Sequence, residues 1–168
     1  MTTARERLVQ WLRDAHAMEE QAETMLKGHL DRVKHYPQFE ARVGEHLRET
    51  RDQADVVRGC LESLGEDPSS IKDAGSKLLA KGQAISGMFA DDEIMNWSLA
   101  LHSFENLEVA SHTVLVTAAE AAGEAEIAEA CRNILAQEEA MAQWVKDNLQ
   151  TLTLDHLGRD ASDLPASR

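Results

Sequence analysis

The segment FENLEVASH, residues 104–112, sets Glu105, Glu108 and His112 at spacings of three and four. On a helix those side chains stack along one side. Carboxylate and imidazole are donors that suit iron and manganese. Yet the surrounding window, WSLALHSFENLEVASHTVLVTAAEAAG, is otherwise mostly apolar or small. Charged groups stay in such company only when they are paired or hold a metal.

The same anomaly recurs elsewhere. Glu19 interrupts the apolar series Leu8, Leu12, Ala15, Ala22, Leu26, and Glu138 interrupts Ala128, Cys131, Leu135, Ala142, Val145. Glu49 borders the series Val43, His46, Thr50, Gln53, Val57, Cys60. By the same periodicity the adjacent acids Glu20, Glu23 and Glu139 face solvent. One acid near the middle of each of four helices lets all four converge on one point. Carboxylates so close raise one another's pKa, and a pair of divalent cations resolves the conflict. The pattern predicts a carboxylate-rich dimetal centre of iron or manganese. Its core ligands are Glu19, Glu49, Glu108 and Glu138, with Glu105 as a fifth carboxylate. His46, Gln53 and His112 serve as further ligands or as groups that orient them.

Dimetal bundles draw a lone Glu from each of two helices and Glu-x-x-His from the other two. The match here is partial. Asp52 stands three after Glu49 and Met141 three after Glu138, whereas His46 precedes Glu49 by three. The plainer reading of any single Glu on an apolar seam is a side chain tilted to solvent. With 30 acidic residues some fall there by chance, and it is the recurrence at similar depth that favours the metal. His16, His29, His35, His102 and His156 read as surface or satisfied polar groups. The methionines and Trp11, Trp97 and Trp144 read as packing residues.

Four long helices must carry these residues. Apolar periodicity marks the first from Arg5 to about Val33, and His35–Pro37 ends it, because the residue before proline avoids helical dihedrals. The second runs from about Pro37 to Leu64, with Gly65 as a left-handed cap. Residues 70–89, broken by Gly75, Gly82 and Gly87, read as a minor helix within a crossover. The third starts at an Asp91 or Asp92 cap and runs to Ala122, where Gly123 stops it. The fourth spans about Glu124 to Leu152. The expected fold is all-α, a ferritin-like four-helix bundle of two helical hairpins with a short helix in the long crossover. Residues 1–152 form its single domain and 153–168 a weakly ordered tail. An up-down-up-down bundle with a fifth packed helix stands as the alternative.

Composition bounds the function. The 168 residues hold few aromatics (4%) and 3 prolines, which favours helix over sheet. A net charge of −13 without a clustered basic face argues against nucleic acid and anionic membrane as partners. The start, MTTARERLVQW, has no secretory apolar segment, and no window is long and apolar enough to span a bilayer, so a cytoplasmic protein is expected. Cys60 and Cys131 match no zinc or redox spacing and read as buried reduced thiols.

Three segments carry a family resemblance: LRDAHAMEEQA; FEARVGEHLRETRDQADVV, with His46, Leu47, Glu49, Thr50 and Gln53; and FENLEVASHTVL, with its Glu-x-x-Glu-x-Ala-Ser. Over about residues 5–150 the chain resembles the YciF-like bacterial stress-protein family. The resemblance implies a ferritin-like bundle with a dimetal-type site and a link to stress responses. The chain departs from the family at Ala142, where an aspartate is frequent, and at His16 and His112, where tyrosine is usual. The expected function is binding of metal ions, iron or manganese, and action on oxygen or peroxide as a ferroxidase or peroxide scavenger. The alternative is a non-enzymatic helical dimer or interaction module with a vestigial site. A homodimer is expected, and a mineral-storing cage is the third reading.

Overall fold

The computed structural model describes residues 2–30, 33–67 and 93–162. They form four helices: α1 Ala4–Leu30, α2 Pro37–Ser63, α3 Glu93–Ala122 and α4 Ala125–Asp160. Pro37 occupies the first turn of α2, where its missing N–H leaves no bond unmade. Glycines in the left-handed region close α2 and α3. Gly65 (φ 87°) and Gly123 (φ 77°) adopt a backbone that other residues avoid. Around Gly123, its own N–H donates to Glu120 O at 3.1 Å and the Glu124 N–H reaches Ala119 O at 2.9 Å. Around Gly65 the same pair of bonds runs to Glu62 O and Leu61 O. Both are Schellman closures, and the one at Gly123 lets α4 begin immediately after α3.

Two apolar clusters fix the topology. One gathers Leu8 and Leu12 from the start of α1, Leu61 from the end of α2, Leu115 from late α3 and Ile127 from the start of α4. The other gathers Leu26 from the end of α1, Phe39 from the start of α2, Leu101 from early α3 and Val145 from late α4. Each hairpin is therefore antiparallel, while α2 and α3 run in the same direction. The α2–α3 connection consequently joins opposite ends of the bundle, about 40 Å apart for a helix of 27 residues. That is the crossover topology and not the up-down-up-down alternative. α1 packs against α2 and α3, and α4 against α3 and α2. The expected minor helix at 70–89 and the caps Asp91 and Asp92 lie outside the described residues.

Some details differ from the sequence reading. α4 continues beyond Leu152 to Asp160. It does so because it covers the α1–α2 turn: His156 is buried with Nδ1 3.2 Å from the Tyr36 hydroxyl, and Arg159 donates to His35 O at 2.8 Å. Such partners are 120 residues away or more, so periodicity does not reveal them. In α4 the buried position is Ile134, with Leu135 half-buried, and in α3 Ser111 is half-buried beside a wholly buried His112. His16 is buried, and Trp11 is 38% exposed. Cys60 and Cys131 are free and buried, and burial pushes the Cys131 thiol up to about 12. No helix among the described residues is long and apolar enough to cross a membrane.

Candidate metal centre

Between the two apolar clusters lies a layer of buried polar side chains. Glu19, His46, Glu105, Glu108, His112 and Glu138 are each at most 1% exposed, and Gln53 is 2% exposed. Every helix contributes. α3 supplies Glu105, Glu108 and His112 from one stripe, α2 supplies His46 and Gln53 two turns apart, and α1 and α4 supply one Glu each.

At the heart of the layer His46, Glu105, Glu108 and Glu138 each offer a donor atom, all within 4.8 Å of one another. His46 Nε2 lies 3.0 Å from Glu105 Oε2 and 3.8 Å from Glu138 Oε2. Gln53 Nε2 donates to Glu138 Oε1 and also to Gln137 Oε1, the latter at 3.0 Å. That leaves the other Glu138 oxygen facing the cluster. Beside this group, Glu19 Oε1 meets His112 Nε2 at 3.2 Å.

Glu49 stands apart. Its carboxylate is only part-buried, accepting from Arg42 at 3.0 Å and lying 2.9 Å from His46 Nδ1. The structure thus brings Glu19, Glu105, Glu108, Glu138, His46, His112 and Gln53 together and sets Glu49 behind His46. Periodicity put Glu49 at the border of the α2 seam. Arg42, seven residues earlier on that helix and barely exposed, then draws the carboxylate outward. Arg42 was the residue missed from sequence, and its i, i+7 spacing to Glu49 was the available signal.

The electrostatics are those of too many acids in too little water. Burial raises the Glu108 carboxyl well above the ordinary range, and the charges of Glu19, Glu138 and Glu105 push it further. Burial, together with a shared hydrogen bond and charge from Glu105, raises Glu138 to about 9. Glu19 is raised by burial, partly offset by His112. Burial pulls the His46 imidazole down, but hydrogen bonds to Glu105 and Glu49 outweigh it and lift the ring to about 10. Glu49 is held below the usual carboxylate range by its bond to His46, against some burial, and by Arg42.

The donor set fits a metal ion on its own chemistry. Glu19 Oε2, Glu105 Oε1 and Glu108 Oε1 are buried without a hydrogen-bond partner, and such atoms are expensive to leave unmet. Donors around a first-row cation at about 2.0–2.2 Å stand at most about 4.4 Å apart. The 4.8 Å cluster is within a few tenths of an ångström of that. All four of its donor atoms are carboxylate oxygen or imidazole nitrogen, and no thiol is among them.

The chain and its fold have relatives. Residues 3–157 match the family described as Domain of unknown function (DUF892). A solved protein from Xanthomonas campestris is 36% identical, covering 95% of this chain and 99% of that one, with a TM-score of 0.79. The stress protein YciF of E. coli is 22% identical over 89% of this chain and 96% of that one, at a TM-score of 0.70. YcfI of Rhodopseudomonas palustris, described as a putative structural protein, is 21% identical over 87% and 94%, also at 0.70.

Proposed function

Since the chain belongs to the DUF892, YciF-like family, we propose that it is a metal-binding stress protein whose buried layer holds a pair of iron or manganese ions and acts on oxygen or peroxide. One observation carries this reading: carboxylates from α3 and α4 and an imidazole from α2 converge with donor atoms no more than 4.8 Å apart, several of them otherwise unsatisfied, and Glu19 of α1 is buried in the same layer.

In this reading His46, Glu105, Glu108 and Glu138 hold one ion. Glu19 and His112, whose Oε1 and Nε2 meet at 3.2 Å in the same buried layer, would hold the second. Bound iron or manganese would supply one-electron redox chemistry toward oxygen or peroxide. The protein's part is positional and electrostatic. Gln53 fixes one oxygen of Glu138 so that the other faces the ion. Glu49, anchored by Arg42, accepts from His46 Nδ1, so that Nε2 is the donor toward the ion. The apolar clusters above and below exclude bulk water and confine reactive species. Free buried thiols at Cys60 and Cys131 suit a reducing, cytoplasmic setting.

A second reading has its own support. With His46 protonated and Glu138 and Glu108 neutral, protons alone relieve the repulsion. Ala142 also offers no second acid on α4. A vestigial site in an interaction module is consistent with both facts.

The deciding experiment is elemental analysis of protein purified without chelator, joined to anomalous scattering at the iron and manganese edges. We expect ions bound among Glu19, His46, Glu105, Glu108, His112 and Glu138, and their loss in Glu108→Ala. Metal-free protein from iron-replete cells, unmoved in melting temperature by either divalent ion, refutes the metal reading and leaves the interaction module.

A further inference from the structure

Among the described residues, apolar clusters close the bundle above and below the buried layer. An ion bound there has to pass sideways between two helices, and the seams differ at that height. Between α1 and α3 stand Met18, Ala22 and Phe104, packed on one another. Between α1 and α2, Arg51 donates to Glu23 at 2.7 Å and bridges the gap. Between α3 and α4, His102 Nδ1 lies 3.1 Å from the Ala142 carbonyl. The seam between α2 and α4 is of another kind, because polar groups run through it from the surface to the cluster.

Gln53 is the link. Its Nε2 donates at 3.0 Å to Oε1 of Gln137, an exposed residue, and also to Oε1 of Glu138, which is wholly buried and belongs to the cluster. One amide group thus spans the step from the surface to the candidate metal centre. Gln53 itself is 2% exposed, and its Oε1 is buried with no hydrogen-bond partner. An unmet amide oxygen is costly, and oxygen of this kind suits a hard divalent cation. The rim beside it is acidic. Glu45, Glu49 and Asp52 follow one another at spacings of four and three, so they share one stripe of α2 next to Gln53. Arg42 is the cation beside them, bonded to Glu45 and Glu49.

We propose that divalent cations reach the buried layer through the α2–α4 seam, passed by Gln53 from the rim of Glu45, Glu49 and Asp52 to Glu138. The path goes beyond the metal reading and rests on it. Three acids against Arg42 leave the rim negative, which concentrates cations at the mouth and speeds their capture. Glu49, 25% exposed, faces both the rim and His46. The amide of Gln53 then serves passage and not storage. A neutral oxygen holds a cation less firmly than a carboxylate does, and a transit site must bind well enough to admit an ion and weakly enough to let it go. The terminal torsion of glutamine is broad, so Nε2 can release Glu138 and Oε1 can turn to the ion while the backbone stays in place.

Kinetics separate the path from the site. The full chain, stripped of metal, is loaded with manganese(II), or with iron(II) in the absence of oxygen. Equilibrium dialysis gives stoichiometry and affinity, and transfer to excess coloured chelator gives the release rate; together they fix the loading rate. Gln137→Leu sets an apolar group at the mouth and should slow loading and release alike by about tenfold or more, with affinity and stoichiometry in place. Gln137→Glu keeps an acceptor for Gln53 and adds a charge. It should load about threefold or more faster at low salt, an advantage that fades as salt screens the rim. Asn106→Leu, exposed on α3, should load as the unaltered protein does. If Gln137→Leu fails to fold, the rate and salt dependence of Gln137→Glu decide. Unaltered protein that binds neither ion overturns the metal reading and the path with it. Normal binding with an unchanged loading rate in Gln137→Leu, or equal slowing in Asn106→Leu, overturns the path alone.

Discussion

The two ends of the bundle and its middle are built on opposite terms. At the ends, leucines, isoleucines and aromatics from all four helices are removed from water, and each buried side chain contributes to folding. In the middle, four carboxylates and two imidazoles are removed from water just as completely. There, desolvation and like charge work against folding. A folding unit concerned only with stability would fill that layer with leucine. The difference teaches that the ends supply the stability and the middle spends some of it on a site.

The largest effect should come from the ends. Leu61→Ala in one cluster and Leu101→Ala in the other, both wholly buried, should each lower unfolding free energy by about 2–5 kcal/mol in denaturant titration. Losses below about 1 kcal/mol would show that the clusters are not the main support.

Glu138→Leu should run the other way in metal-free protein. It removes an acid crowded by Glu105 and Glu108, while His46 keeps Glu105 and Glu49 as partners. A gain of about 1–3 kcal/mol is expected, measured by the same titration. A substantial loss of stability would mean that the polar layer supports the fold by itself, and the contrast between ends and middle would fail.

pH should separate the regions more gently. Glu138, at about 9 when folded, holds its proton more tightly than in the unfolded chain, as do Glu108 and Glu19. His46, at about 10, does the same. Folding therefore takes up protons across this window, and the metal-free protein loses stability as pH rises from about 4.5 through 9 to 10. Glu49, shifted downward, has already made its contribution above 4.5 and does not oppose this trend. A melting temperature lower by about 5 °C or more at pH 9.5 than at pH 6 is expected by differential scanning calorimetry. With iron or manganese loaded, the carboxylates are already ionised and the slope should flatten. A flat profile in metal-free protein would remove the electrostatic side of the comparison.

Much of this architecture was legible in the residue order, for a specific reason. A helix of period 3.6 writes its buried face directly into the sequence. Glu19, Glu108 and Glu138 were therefore visible as polar interruptions of apolar seams, and Gly65 and Gly123 as the ends of α2 and α3. The places where reading failed share a cause as well. Glu49 sits at a seam border, and which way it turned depended on Arg42. Glu105 and His112 were legible as donors on the α3 stripe beside Glu108, and only the completeness of their burial was left to packing. The extension of α4 to Asp160 depended on Tyr36 and His35, far away in the chain.

The sequence by itself determined four long helices, their glycine stops and one acid near the middle of each, because local dihedrals and apolar periodicity are properties of neighbouring residues. Only the tertiary structure decided between the crossover and the up-down-up-down arrangement, set Glu49 behind His46 and outside the cluster, and closed donor atoms from different helices to within 4.8 Å. Those outcomes depend on distances between segments remote in sequence, which packing sets and no local pattern records.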